Sequence, residues 1–144
     1  MSEKIEILLV EDNPGDIRLT QEAFSECKTN CQIHVTRDGE EATDFLDQRG
    51  AYADATRPDL ILLDLNLPNK DGGELLTEIA EDPDVRRIPV IILSSSASEE
   101  DISNAYAHCA NAYLIKPVDP LKFVSLARTV EEFWFSLAEL PSTH

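Results

Sequence analysis

Two kinds of apolar pattern alternate along the chain. Nearly unbroken apolar runs fall at Ile5–Val10, Ile33–Thr36, Leu60–Leu63, Val90–Leu93 and Ala112–Ile115. Short runs of this kind predict strands buried on both faces. Between them, apolar residues recur at helical spacing. Ile17, Ala23, Phe24 and Cys27 stripe a first helix that runs to about Glu26 or Cys27, and Ala42, Phe45 and Leu46 stripe a second that closes at Gly50. Leu75, Leu76, Ile79 and Ala80 mark a third, and Ile102, Ala105, Tyr106 and Cys109 a fourth over Glu99–Cys109. Phe123, Ala127, Val130 and Trp134 mark a fifth, from Pro120 to about Leu137. Asn13-Pro14 is helix-start chemistry, a capping side chain followed by a proline suited to the first turn. Ala51–Pro58 is a longer connection than such units usually need.

Strands alternating with helices imply right-handed crossovers and a parallel sheet. Five of each predict an α/β, flavodoxin-like, doubly wound (βα)5 fold with a five-stranded sheet in the order 2-1-3-4-5. With no repeat, low-complexity tract or linker in the sequence, 1–144 is expected to form a single domain with no output domain.

The strand ends carry the chemistry. Leu60–Leu63 runs straight into Asp64, and a buried, unpaired carboxylate costs several kcal/mol (on the order of 3–5). Asp64 is therefore expected at a strand mouth, within reach of a cation. The first strand ends in Glu11-Asp12, the fourth in Ser94 and the fifth in Lys116. In the order 2-1-3-4-5 these four strands are contiguous, so their ends share the crevice outside the carboxyl edge of the sheet. The second strand ends in Arg37-Asp38 and lies at the edge, outside it. Three carboxylates together require a cation, and all-oxygen ligands with room for water suit Mg²⁺. A carboxylate can also act as a nucleophile and form an aspartyl phosphate. Metal, ammonium and hydroxyl would then neutralise the phosphoryl oxygens.

Taken in order, VEDN (Val10–Asn13), LLDLNLP (Leu62–Pro68), PVIILSSS (Pro89–Ser96) and YLIKP (Tyr113–Pro117) resemble the four motifs of the receiver domains of two-component response regulators. The resemblance implies that Asp64 is the phospho-acceptor and that Mg²⁺ is held by Asp12, Asp64 and the Asn66 backbone carbonyl, with Glu11 acting mostly through water. It makes Ser94 the switch hydroxyl, Tyr113 the switch aromatic and Lys116 the phosphate-pairing lysine, with a cis Lys116–Pro117 bond. Ser95 stands where a small Ala is frequent, so either serine could reach the phosphate; Ser94 follows the apolar run directly. The long Ala51–Pro58 connection and the ending EEFWFSLAELP are similar to a single-domain subgroup, the cyanobacterial phytochrome response regulators. That likeness implies a sensor histidine kinase, phytochrome-like in kind, as phosphoryl donor. The readout would be a separate downstream protein, a homodimer, or a phosphoryl group passed onward in a phosphorelay, and Phe133, Trp134 and Phe135 exceed what one buried stripe needs.

Two other readings use the same residues. A haloacid-dehalogenase-like phosphohydrolase also forms an aspartyl phosphate, but its Asp-x-Asp motif sits on the first strand, and here Asn66 takes the second Asp's place. A phosphate-independent binding module would keep a vestigial site, against which stands the presence of every active-site group.

Composition narrows the setting. Hydrophobic residues make up 42% of 144, enough for one core. No apolar run approaches the roughly 18 residues of a membrane span, and MSEKIEILLVED lacks a signal-peptide layout. The expectation is a cytoplasmic protein without a membrane partner. Cys27, Cys31 and Cys109 are an odd set without metal-ligand spacing, expected as reduced thiols on helix faces. His34, His108 and His144 have no partners legible in the sequence. The net charge of −16 excludes phosphate-backbone binding, which needs clustered Lys and Arg. The acids are spread along the whole chain, which favours an adaptation to high salt over an acidic docking patch. The melting temperature should rise steeply from low to molar KCl in a thermal scan; a flat response would reject the salt reading.

Overall fold

The strands are β1 (Ile5–Val10), β2 (Cys31–Thr36), β3 (Leu60–Leu63), β4 (Val90–Ser94) and β5 (Ala112–Ile115). The α-helices are α1 (Pro14–Ser25), α2 (Gly39–Leu46), α3 (Gly72–Glu81), α4 (Glu99–Ala107) and α5 (Pro120–Val130). The structure is a computed structural model and describes residues 5–25, 30–68, 70–116 and 119–133. All strand pairings are parallel and the order is β2-β1-β3-β4-β5, the doubly wound flavodoxin-like arrangement.

Alternate strand residues feed two cores. Ile7, Leu9, Leu60, Leu62 and Ile91 pack with Ile17, Phe24, Phe123, Ala127 and Val130 of α1 and α5. Leu8, Val10, Ile61, Leu63 and Ile92 pack on the other side, with Phe45, Leu46, Leu75, Leu76 and Ile79 of α2 and α3. Every residue of β3 is 0% exposed. Each such Leu or Ile contributes roughly 1.5–3 kcal/mol of transfer free energy, which fits the absence of any polar residue before the ends of β3 and β4, whereas β1 carries Glu6 near its start.

Side chains cap the helix starts: Asn13, Asp38, Asp71, Ser98 and Asp119 each accept a backbone N–H from the first turn of α1, α2, α3, α4 and α5 in turn. Each is worth about 1 kcal/mol and fixes where the chain leaves a strand mouth.

Several boundaries differ from the periodicity. β2 starts at Cys31 rather than Ile33, and β4 includes Ser94. α2 stops at Leu46, because Gln48 (φ 56°) and Gly50 (φ 59°) take left-handed conformations. The long connection then forms a 3-10 turn, Gly50–Tyr52, and Tyr52 anchors it with its ring tilted against Phe45, centroids 5.3 Å apart. α4 stops at Ala107; Cys109 follows at φ 71° and is exposed. Of the α4 stripe only Ala105 is buried. Tyr106 is 50% exposed, and its hydroxyl accepts the Tyr113 N–H of the edge strand β5 at 3.1 Å. Cys31 opens a strand, so neither it nor Cys109 lies on a helix face. Cys27, Trp134, Phe135, Leu137, His144 and the Lys116–Pro117 bond fall outside the described residues. Among those described, no helix is long and apolar enough to cross a membrane.

Gly72 sets the return from β3 to α3. Its N–H donates to the Leu65 carbonyl at 3.0 Å. A Cβ there would meet the Asp64 carbonyl oxygen at 2.5 Å and the Leu65 Cα at 2.6 Å, both backbone. Gly72→Ala should therefore lower stability by about 1–3 kcal/mol in urea unfolding, by forcing the segment after Asp64 outward.

Candidate functional site

Parallel register delivers the site. Val10 lies beside Leu63, so Glu11 and Asp64 leave β1 and β3 side by side. The Asp64 N–H donates to the Val10 carbonyl at 3.0 Å, and the Lys116 N–H to the Ser94 carbonyl at 2.8 Å. These bonds carry the ladder to the strand mouths and fix the backbone of both residues.

Lys116 is the hub. Its Nζ donates to Glu11 Oε1, to Asp16 Oδ2 at 2.9 Å and to Asp64 Oδ2 at 2.8 Å. The side chains of Lys116, Glu11 and Asp64 are 9%, 3% and 8% exposed, so these charges are largely out of water. The other carboxylate oxygens are also held. Glu11 Oε2 accepts the Asp12 N–H at 3.1 Å and the Asn13 N–H at 3.4 Å. Asp64 Oδ1 accepts the Asn66 N–H at 3.0 Å.

Burial, followed by the neighbouring Asp64 carboxylate, pushes Glu11 up from 4.5 to about 7, against the pull of the Lys116 ammonium. For Lys116, burial works against the charge, but hydrogen bonds to Asp64, Glu11 and Asp16 prevail and hold it above its ordinary 10.5. The cluster thus has more carboxylates than one ammonium can satisfy. Glu11, Asp12 and Asp64 each offer an oxygen, all within 4.8 Å of one another. An all-carboxylate set with one exposed member, Asp12, fits a hard divalent cation that keeps some of its water.

The structure thus brings Glu11, Asp12, Asp64 and Lys116 together. Asn66 lies beside Asp64 with its side chain exposed. Ser94 is 0% exposed at the end of β4, and its Oγ accepts the Ser96 N–H at 3.1 Å; Ser95 is exposed. The N-cap of α4 is Ser98, while the Ser96 hydroxyl donates to Asp101 at 2.6 Å. Tyr113 is half-buried, and its hydroxyl donates to the Ser96 carbonyl at 2.9 Å. Asp16 is the member that sequence reasoning missed, since its one signal was a place in the first turn of α1. A cavity of about 740 Å³ opens nearby between α3 and α4, lined by residues that include Leu65, Asn66, Leu67, Asp71 and Asp101. Glu11, Asp12 and Lys116 do not line it, so the charged cluster is a strand-end site distinct from that cavity.

A parallel sheet in this order, with acids at the ends of β1 and β3 and a lysine at the end of β5, defines a receiver domain of two-component signalling. The chain belongs to the response regulator receiver domain family, whose model matches residues 7–128. It is 43% identical to the response regulator Rcp1 of Synechocystis sp. over 136 residues, covering 94% of this chain and 92% of Rcp1. The crystal structure of the phosphorylated cyanobacterial phytochrome response regulator RcpA superposes with a TM-score of 0.93 at 48% identity, covering 97% of this chain and 100% of RcpA. The Mn²⁺-bound form of Rcp1 gives a TM-score of 0.90 at 42% identity, covering 96% and 99%. Receiver domains bind a divalent metal, and the acidic cluster here suits one.

The raised Glu11 has a consequence for stability in chelator. Between 4.5 and about 7 the folded chain holds a proton that the unfolded chain has lost. This contribution is full below 4.5 and disappears as pH rises through about 7. Relative to wild type, Glu11→Gln should gain on the order of 3 kcal/mol between about pH 5 and about pH 8, measured by urea unfolding in EDTA. A pH-independent difference would show that Glu11 does not hold that proton.

Proposed function

We propose that Asp64 accepts a phosphoryl group from the phosphohistidine of a sensor histidine kinase, and that the acylphosphate re-shapes a protein-interaction surface. The observation that carries this reading is the Lys116 ammonium shared by Asp64 and Glu11 at adjoining strand mouths. The metal would be Mg²⁺, held by Glu11, Asp12, Asp64 and the Asn66 carbonyl. Bound there, it would neutralise charge on the phosphoryl oxygens.

In the transfer, an Asp64 carboxylate oxygen forms a bond to phosphorus. The phosphorus–nitrogen bond to the kinase imidazole breaks, and the imidazole keeps the electron pair and takes a proton. The Asn66 N–H and the Lys116 Nζ hold the two Asp64 oxygens and so orient the nucleophile before the reaction. Lys116 then pairs with a phosphoryl oxygen, and Ser94, at the end of β4, supplies the hydroxyl that follows the phosphate. The Tyr113 hydroxyl is tied to the Ser96 carbonyl, which supports a coupled movement of the two switch residues. The face that would read it is α4–β5–α5, where Tyr106 and Ile115 are each 50% exposed and Leu121 75%. A downstream protein or a second copy would dock there.

Likeness to Rcp1 and RcpA supports a phytochrome-like kinase as donor. Because phosphohistidine is made from ATP, a cytoplasmic location belongs to the same reading. Family membership weighs against the phosphohydrolase, and the intact acid–lysine cluster against a vestigial module. Radiolabelled acetyl phosphate with Mg²⁺ should label wild type and leave Asp64→Asn at background. Equal labelling of both would reject Asp64 as the acceptor.

A further inference from the structure

We propose that Asp16 is a positioning residue for Lys116: it keeps the ammonium at the strand mouths when a divalent cation draws on the oxygens of Glu11 and Asp64. This rests on the metal and phospho-acceptor reading above.

An ammonium has three donors, and here they go to three different carboxylates, Glu11, Asp16 and Asp64. Two of the three belong to the group that can converge on a metal; Asp16 does not. A dication at that group competes with Lys116 for Glu11 and Asp64 and repels it as well. Asp16 is then the partner whose charge is not shared. It is also well placed to hold on. Its N–H donates to Asn13 Oδ1 at 3.1 Å, and its carbonyl accepts the Thr20 hydroxyl at 2.8 Å, with Thr20 2% exposed. The anchor is therefore the rigid first turn of α1.

An acid in a first helical turn is favourable for the dipole alone, but that role does not require a carboxylate aimed at a lysine 100 residues away. The Asp16 side chain is 27% exposed, so water screens part of the attraction and the effect is moderate.

The test uses the ammonium itself. In ¹⁵N-labelled protein, the slowly exchanging Lys116 Nζ signal should be visible in EDTA in both wild type and Asp16→Asn, because Glu11 and Asp64 still hold it. On adding Mg²⁺, wild type should keep the signal and Asp16→Asn should lose it. The EDTA spectrum also checks that the variant is folded. In parallel, labelling by acetyl phosphate, in which the Asp64 oxygen–phosphorus bond forms as acetate leaves with its electron pair, should slow about fivefold in Asp16→Asn. The same substitution in a Lys116→Met background should bring no further slowing. A signal that survives Mg²⁺ in Asp16→Asn, or equal slowing in both backgrounds, overturns the proposal. If wild type takes no label at all, the phospho-acceptor reading fails, and the ammonium signal still decides the role of Asp16.

Discussion

One ammonium serves three carboxylates at the mouth of a buried sheet, and the rest of the site follows from that imbalance. Glu11 and Asp64 are nearly out of water, where an unpaired charge is expensive. Lys116 neutralises one of them. The other can be neutralised by a proton, which is why Glu11 sits at about 7, or by a cation. A metal ion and a proton are thus alternatives for the same excess charge. The arrangement is incompletely neutralised, and any further anion would enter only with positive charge beside it. The fold maintains this tension cheaply, since Glu11 and Asp64 are carried by β1 and β3, whose residues Ile7–Val10 and Leu60–Leu63 are buried behind them.

Much of this was legible in the sequence because the strands of a parallel sheet are apolar over the residues that lead into their ends. LILLD and YLIK announce both the strand and the residue it delivers. Once alternation implies the order 2-1-3-4-5, adjacency of the ends of β1, β3, β4 and β5 is a matter of topology. The same logic places Ser94 at the end of β4 and Arg37-Asp38 outside, and the strand order follows without knowledge of side-chain contacts.

What the sequence hid were contacts that depend on rotamer and loop path. Asp16 looks like any acid in a first turn; its reach to Lys116 depends on how α1 docks against α5 and the mouth of β5. His34 has no partner legible in the sequence, yet its ring meets Glu6 at 2.7 Å and lies 5.4 Å from Phe45. Leu8 pairs with His34, so Glu6 is a diagonal neighbour on the same face, a relation that appears only once register is known. Tyr106 has helical spacing with Ile102 and Cys109, the pattern of a core stripe. A phenol that covers an edge-strand N–H has the same spacing, and periodicity cannot tell them apart.

These hidden contacts bear on how a change at Asp64 would travel. α4 buries only Ala105 and is held largely by polar ties. Ser94 bonds the Ser96 N–H, Ser96 bonds Asp101 and Tyr113, and Tyr106 bonds the β5 backbone. A helix with little apolar anchorage is a low-stability unit that can shift without opening the core. Each polar tie is worth about 1 kcal/mol net, so exchanging one or two of them shifts a two-state equilibrium by roughly 5- to 30-fold. Ser94 joins this chain at the strand mouth and Tyr106 leaves it at the surface. α4 and the edge strand β5 it covers are therefore poorly placed to resist a rearrangement at Asp64, whereas β1, β3 and their packed helices would hold the acids still.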